Sequence, residues 1–220
     1  MPTVSIPPAN DSHSKRERRK EARPGELLQA ALELFVEKGY AATRAEEVAT
    51  RAGVSKGTLF LYFSSIEDLF KAVIQSNLSR HLMAWNQEFE GFEGSSADML
   101  AYGLTSWWTQ IGSTLAGGIT KLVMSEAQNF PEIADYYQRE VIAPGRDLLC
   151  RVLARGVASG EFRPMDVSQA VYTLIAPMIF LMMWKHSVGA CAPSAQIMDP
   201  EEFLQLQVDL LLHGMTSKAS

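Results

Sequence analysis

The chain has 220 residues, 47% of them hydrophobic and 20% charged, with a formal net charge of −5. That length and apolar content can fill one large or two small cores. Two lone cysteines, Cys150 and Cys191, exclude a disulfide framework or a Cys-based metal site and suggest a reducing cytoplasm. Acidity taken alone argues against a nucleic-acid partner, yet the charge is divided. Residues 1–63 carry ten Lys/Arg against eight Asp/Glu, and residues 64–220 carry ten against seventeen.

The N-terminus holds Pro2, Pro7 and Pro8 where a signal peptide would need an apolar helix, so none is expected. Residues 1–22 read as a disordered basic arm, with Lys15, Arg16, Arg18, Arg19, Lys20 and Arg23 clustered near its end. Such a run is either a solvated tail or an arm that lies along phosphates or enters the minor groove. Pro24 suits the first turn of a helix to Lys38, with Leu27, Ala31, Leu34 and Phe35 facing inward.

A short helix is expected from Thr43, whose hydroxyl and Glu46 three residues on could form a capping box. Val48, Ala49 and Ala52 give its inner stripe, and Gly53 is placed for a left-handed stop. Ser55 then caps a second short helix within GVSKGTLFLYF, anchored by Leu59 and Phe63. Lys56, Thr58, Phe60 and Tyr62 are left for the exposed side, and Gly57 offers bare backbone to a phosphate. This is either an ordinary helical hairpin with aromatics in its core or a helix-turn-helix that sets a recognition helix in the major groove.

Ser64 or Ser65 caps a long fourth helix with the stripe Ile66, Leu69, Phe70, Val73, Ile74, Leu78, Leu82 and Trp85, which runs into the second half of the chain. Gly91 to Ser96 is a loop, and helical patterns follow near 97–112, 115–128, 131–159, 166–188 and 200–214. Pro144-Gly145 should kink the third of these, as a packing feature or as a bend that opens a cavity. The most apolar run, Ala170 to Trp184, is broken by Pro177 and is shorter than the roughly 20 residues of a membrane span. A buried helix of a soluble protein is therefore expected, with no membrane partner.

The second half shows no nucleophile–base–orienter set, no phosphate loop and no paired metal ligands, so neither an enzyme nor a metal or cofactor site is expected. It is rich in Met and aromatic side chains, which pack cores and also line adaptable apolar pockets.

Residues from about Arg23 to Val73 resemble the DNA-binding domain of the TetR family of bacterial transcriptional regulators. The resemblance is carried by Ala30, Leu34, Phe35, Gly39-Tyr40 and Thr43, then by Val48-Ala49, Ala52-Gly53-Val54-Ser55, Gly57-Thr58-Leu59 and Tyr62-Phe63. It ends in Ser65, Glu67, Leu69 and Phe70. Phe60 replaces a usual tyrosine and Ile66 a frequent lysine, each removing one phosphate contact.

The resemblance implies an all-α chain of about nine helices. A helix-turn-helix domain at 23–70 precedes an effector-binding and dimerisation domain at 71–220. Thr43, Lys56, Thr58 and Tyr62 are then expected to meet phosphate, and Arg44 and Phe60 base edges or sugar. Ser55 serves mainly as the cap and Gly57 permits close approach. Helices of the second half would enclose an effector among Trp107, Trp108, Met124, Phe130, Tyr137, Met178 and Met182, with Glu126 and Asp135 able to orient a polar group.

The last two helices would pair across a homodimer through apolar faces that include Val171, Leu174, Ile175, Met178 and Met182, and Phe203, Leu204, Val208, Leu211 and Leu212. The function expected is a repressor released from a palindromic double-stranded DNA operator by a small, hydrophobic effector. The alternatives are a DNA-binding regulator without an effector, and a small helical enzyme or carrier.

Overall fold

The computed structural model describes residues 11–191 and 198–216, with side chains from residue 23 onward. Among these residues the chain is all helical: α1 (Asp11–Lys38), α2 (Ala45–Arg51), α3 (Lys56–Phe60), α4 (Ile66–Ile74), α5 (Arg80–Glu90), α6 (Ser96–Trp107), α7 (Gly117–Glu126), α8 (Pro131–Tyr137), α9 (Ala143–Ala158), α10 (Val167–Lys185) and α11 (Pro200–Met215). Two π-helical turns join helices: Gln75–Ser79 carries α4 into α5 and Gln138–Ile142 carries α8 into α9, while a further one, Trp108–Gly112, ends α6. Each pair is one rod, so the described residues form nine rods.

Helix α1 starts at Asp11, where a start near Pro24 was expected; residues 1–10 of the expected arm lie outside the described residues. Leu27, Ala31, Leu34 and Phe35 form its buried face. They pack on Val48, Leu59, Leu69, Phe70 and Val73, closing a small core that continues without a break into Ile119, Leu122, Val123 and Ile133 of the second half.

The second π turn has a local cause. Pro144 has no N–H for the carbonyl four residues back, and its ring would press on it. That carbonyl belongs to Glu140, which accepts instead from the Ser79 hydroxyl of the other π turn (3.3 Å). The expected Pro144-Gly145 kink is thus resolved as a widened turn just ahead of the proline, joining the two long rods.

Helix α7 lies between the halves. At its start a Cβ on Gly118 would come within 2.7 Å of Val36 Cγ1 in α1, and one on Gly117 within 2.9 Å of His186 Nε2 beyond α10. Only glycine lets the three elements approach this closely.

The C-terminal pair departs from two expectations. Val171, Leu174, Met182 and Leu204 are buried inside the protomer, so the apolar face left outward is a different one: Tyr172, Phe180, Leu206 and Leu210, all about half exposed or more. The stretch Val167–Cys191 is 25 residues long and holds an 18-residue window with a mean hydropathy of 1.6, so it has the length and composition of a membrane span, contrary to the shorter run read from sequence. Its inner face packs on core residues of α9 and α6, while only 22% of that window is buried within the protomer.

Gly53 has φ +66 with open space around a potential Cβ. Gly53→Ala is therefore expected to destabilise by about 1 kcal/mol through backbone strain alone. Thermal melting should show a drop of about 2–4 °C for a chain of this size.

Candidate nucleic-acid interface

The hairpin of α2 and α3 is built by local chemistry. Val48 and Ala49 are buried, Gly53 turns the chain, and the Ser55 hydroxyl accepts from the Thr58 N–H (3.1 Å) to cap α3. Leu59 is fully buried and Phe63 half-buried against the same core. Their anchoring turns Lys56, Gly57 and Phe60 outward, with Thr58 half-buried beside them.

The cap of α2 is shifted by one residue from the sequence expectation. Arg44 is the N-cap, and its N–H donates to the Glu47 carboxylate (3.1 Å), so the reciprocal acid is Glu47 and not Glu46. Thr43 is 2% exposed, and its hydroxyl donates to the Gly39 carbonyl (2.7 Å). That corrects its assignment as a phosphate contact: the hydroxyl is spent inside the turn, and Thr43 serves to present Arg44. The Arg44 side chain is exposed, with Nη1 donating to the Ala41 carbonyl (3.2 Å).

Lys56 is paired with Glu46 and stands over the Phe60 ring at 5.8 Å. Hydrogen bonding to Lys56 holds the Glu46 carboxyl below its usual range. A phosphate therefore competes with Glu46 for the Lys56 ammonium. Tyr62 is half-buried, its ring packed on the core, which holds the aromatic in place at the edge of the site. Gly57 is exposed, and a Cβ there would meet nothing closer than Ser55 Oγ at 3.7 Å, so the fold itself does not demand glycine. Sequence reasoning missed Leu61, which is 82% exposed beside Phe60. It lies opposite the anchoring Leu59, and the signal was that α3 has no inner position left for it. Ile66, where a lysine contact was missing, is half-buried against the core.

The seven residues expected to line an effector pocket do not converge. Met124 is 54% exposed, and Phe130 packs edge-on against Tyr40 (centroids 4.8 Å). Tyr137 is buried with its hydroxyl bonded to Thr120 (2.8 Å). Burial pushes its pKa up to about 12, only partly offset by that bond. Met178 packs at the margin of the core between α6, α9 and α10, Met182 is buried, and Trp107 packs at the margins of two other core clusters. Trp108 alone borders a groove, between α6 and α11. Asp135 is paired with Arg139 (3.1 Å), and Glu126 accepts from the Tyr40 backbone, so neither orients a ligand here.

The apolar cavity lies elsewhere, between α5, α6 and α9. It is about 60 Å³, walled by Trp85, Phe89, Met99, Leu100, Leu149 and Val152. Above it, Phe92, Tyr102 and Glu88 border an outer vestibule of about 540 Å³. Tyr102 donates to Glu88 (3.1 Å), tying α6 to α5 across the mouth. The α6 wall is fixed by Glu161, whose carboxylate accepts from the Ser96 and Ala97 N–H groups at the helix start (both 2.8 Å).

Two family profiles match along this frame. That of bacterial regulatory proteins of the tetR family covers residues 27–73, and that of the tetracyclin repressor-like C-terminal domain covers 93–192. The transcriptional repressor KstR2 of Rhodococcus jostii is 30% identical over 173 residues, 76% of this chain and 79% of that protein. The chain belongs to the TetR family.

TetR-family members are DNA-binding transcriptional regulators, not enzymes, and they bind operators as dimers under small-molecule control. The fold is shared with the fatty acid degradation regulator FadR of Bacillus halodurans (TM-score 0.71, 21% identity, 86% of this chain and 94% of that one). It is shared also with FadR of Bacillus subtilis in complex with stearoyl-CoA (TM-score 0.67, 18% identity, 86% and 98%). The hairpin of α2 and α3 is thus the helix-turn-helix of a transcriptional regulator.

Two substitutions probe this face, with affinities read by fluorescence anisotropy over a salt series. Lys56→Ala should weaken DNA binding about tenfold at every sequence and lower the salt slope by about 1. Glu46→Gln, which releases Lys56 from its acid, should strengthen binding to arbitrary DNA by about two- to fivefold.

Proposed function

We propose that this TetR-family chain is a repressor that grips a palindromic operator as a homodimer and lets go when a small, largely apolar effector enters between α5, α6 and α9. Residues 23–70 serve as the DNA-binding unit and 71–220 as the effector and dimer unit. Lys56, Thr58 and Tyr62 take phosphate, while Arg44, Phe60 and the newly recognised Leu61 reach base edges, sugar or thymine methyls. As a regulator of chromosomal DNA it works in the cytoplasm.

One observation carries the effector half of this reading. The apolar cavity is walled by α5, which is the same rod as α4 of the DNA-binding unit. An object that forces α5 and α6 apart must therefore tilt an element packed against α1. At about 60 Å³ the cavity is far below the roughly 300–1,000 Å³ of a ligand site, so it must open by breaking the Tyr102–Glu88 bond. The stearoyl-CoA bound to FadR supports a long apolar group as the class of effector. A hundredfold loss of operator affinity requires a coupling of about 2.7 kcal/mol.

The same small volume favours a second reading, a regulator whose cavity is filled by its own side chains and answers to no effector. Acyl thioesters, free fatty acids and sterols titrated into the protein–operator complex separate the two. At least one class should lower affinity about tenfold or more, and Leu149→Trp, which fills the cavity, should abolish that response while leaving operator binding intact. No response to any apolar ligand, together with no shift in melting temperature, favours the second reading.

The dimer is assigned to α10 and α11 through Tyr172, Phe180, Leu206 and Leu210. Leu206→Glu with Leu210→Glu should convert a species of twice 24.3 kDa into one of 24.3 kDa in sedimentation velocity. Affinity for a palindrome should then fall to that for a single half-site.

A further inference from the structure

We propose that Glu126 is a positioning residue for the DNA interface: from the end of α7 its carboxylate clamps the Gly39–Arg44 turn and so sets the angle of each DNA-binding unit on the dimer.

The Tyr40 N–H donates to Glu126 Oε1 at 3.1 Å, in a partly buried contact between residues 86 apart in sequence. Gly39 has φ +89, and a Cβ there would lie 2.8 Å from the same oxygen. The glycine is therefore required twice, for its backbone conformation and for the approach of the carboxylate. Within the turn, the Thr43 hydroxyl donates to the Gly39 carbonyl (2.7 Å) and the Thr43 N–H to the Tyr40 carbonyl (3.2 Å). The next residue is Arg44, which caps α2 and whose guanidinium bonds back to Ala41 (3.2 Å). One carboxylate of the effector unit thus holds the amide from which a short, internally bonded turn leads to a side chain offered to DNA.

The continuous apolar core from α1 into α7, and the ring contact of Tyr40 with Phe130, join the two units in a non-directional way, and the Glu126 bond adds a directional contact to them. The steric contact of Gly118 with Val36, at the other end of α7, supplies a second fixed point on α1. With close packing along the core and at Gly118, and a bond that can be broken at Glu126, α7 defines a preferred orientation with a release at its polar end. Orientation matters because a two-fold dimer reads half-sites about 34–36 Å apart, and tilting either unit changes that separation. This inference rests on the palindromic-operator reading above.

The test uses the full-length protein, an operator selected from random DNA, and duplexes whose half-site separation is shortened or lengthened by one base pair, along with a single half-site. Wild type should lose about tenfold in affinity when the spacing is changed. Glu126→Ala should lose about tenfold on the selected spacing yet vary only about two- to threefold across the series, with half-site affinity unchanged. Glu126→Gln, whose side-chain carbonyl can still accept from Tyr40, should restore the wild-type profile. Glu126→Asp, one methylene short with its charge kept, should resemble Glu126→Ala and serves if the alanine variant does not fold. The inference is overturned if Glu126→Ala keeps the wild-type spacing preference, or if half-site and palindrome affinities fall together, the mark of a damaged DNA-binding unit. A wild-type protein indifferent to spacing would instead overturn the palindrome reading, and the clamp with it.

Discussion

Tyr40 is the point on which the two halves of the molecule depend. Its ring contacts Phe35 (5.9 Å), Phe70 (5.2 Å) and Phe130 (4.8 Å), the last from the loop that follows α7. Burial, with nearby carboxylates Glu67, Glu132 and Glu126 adding to it, pushes the Tyr40 pKa up to about 12, so the ring stays neutral in its apolar seat. Aromatic packing of this kind is short-ranged and loses much of its attraction with a gap of half an ångström to one ångström. The halves therefore sit in one arrangement or move to another, and do not slide continuously between them.

In the proposed mechanism that property would carry a change at the cavity to the recognition helix. The α4–α5 rod touches both, and its π turn meets the π turn ahead of Pro144 through Ser79 and Glu140. Widened turns of this type are where a helix changes register at modest cost. An effector that separates α5 from α6 would be resisted least at this crossing, and the strain would reach α1 through Phe70, which packs edge-on against Phe35 (4.8 Å). The resting interface, meanwhile, is held in check by acids: Glu46 on Lys56, Glu47 on Lys38, and Glu37 on Arg51. Lys56, Lys38 and Arg51 are thus already paired, so discrimination between operator and other DNA rests on contacts to base edges more than on net attraction.

The helix-turn-helix was legible in sequence because its determinants are local. A glycine at positive φ, a serine cap and a Leu59–Phe63 spacing of four each act within a turn or two. The one-residue error at Thr43 shows where that ends: Thr43 could cap α2 as well as Arg44 does, and a carbonyl of Gly39 in the folded turn decided otherwise. The long fourth helix was legible from its stripe, but its π turn was not: nothing in the stripe marks it, and the Glu140 carbonyl that its Ser79 hydroxyl meets lies 61 residues away. The effector residues were the least legible. A list of large apolar side chains does not say which helices neighbour each other, so Phe130 and Glu126 were assigned to a pocket when they join the two halves. The cavity's own walls, such as Leu149 and Val152, looked like ordinary core.

The central claim is that α3 reads a specific operator. The most direct measurement is anisotropy of the wild-type protein on DNA from upstream of its own gene, against scrambled DNA, at two salt concentrations. The expected result is at least about a thousandfold preference for one upstream sequence, with affinity for both DNAs falling as salt rises. Equal affinity for upstream and scrambled DNA, persisting when the protein is offered a random-sequence pool for selection, would contradict it.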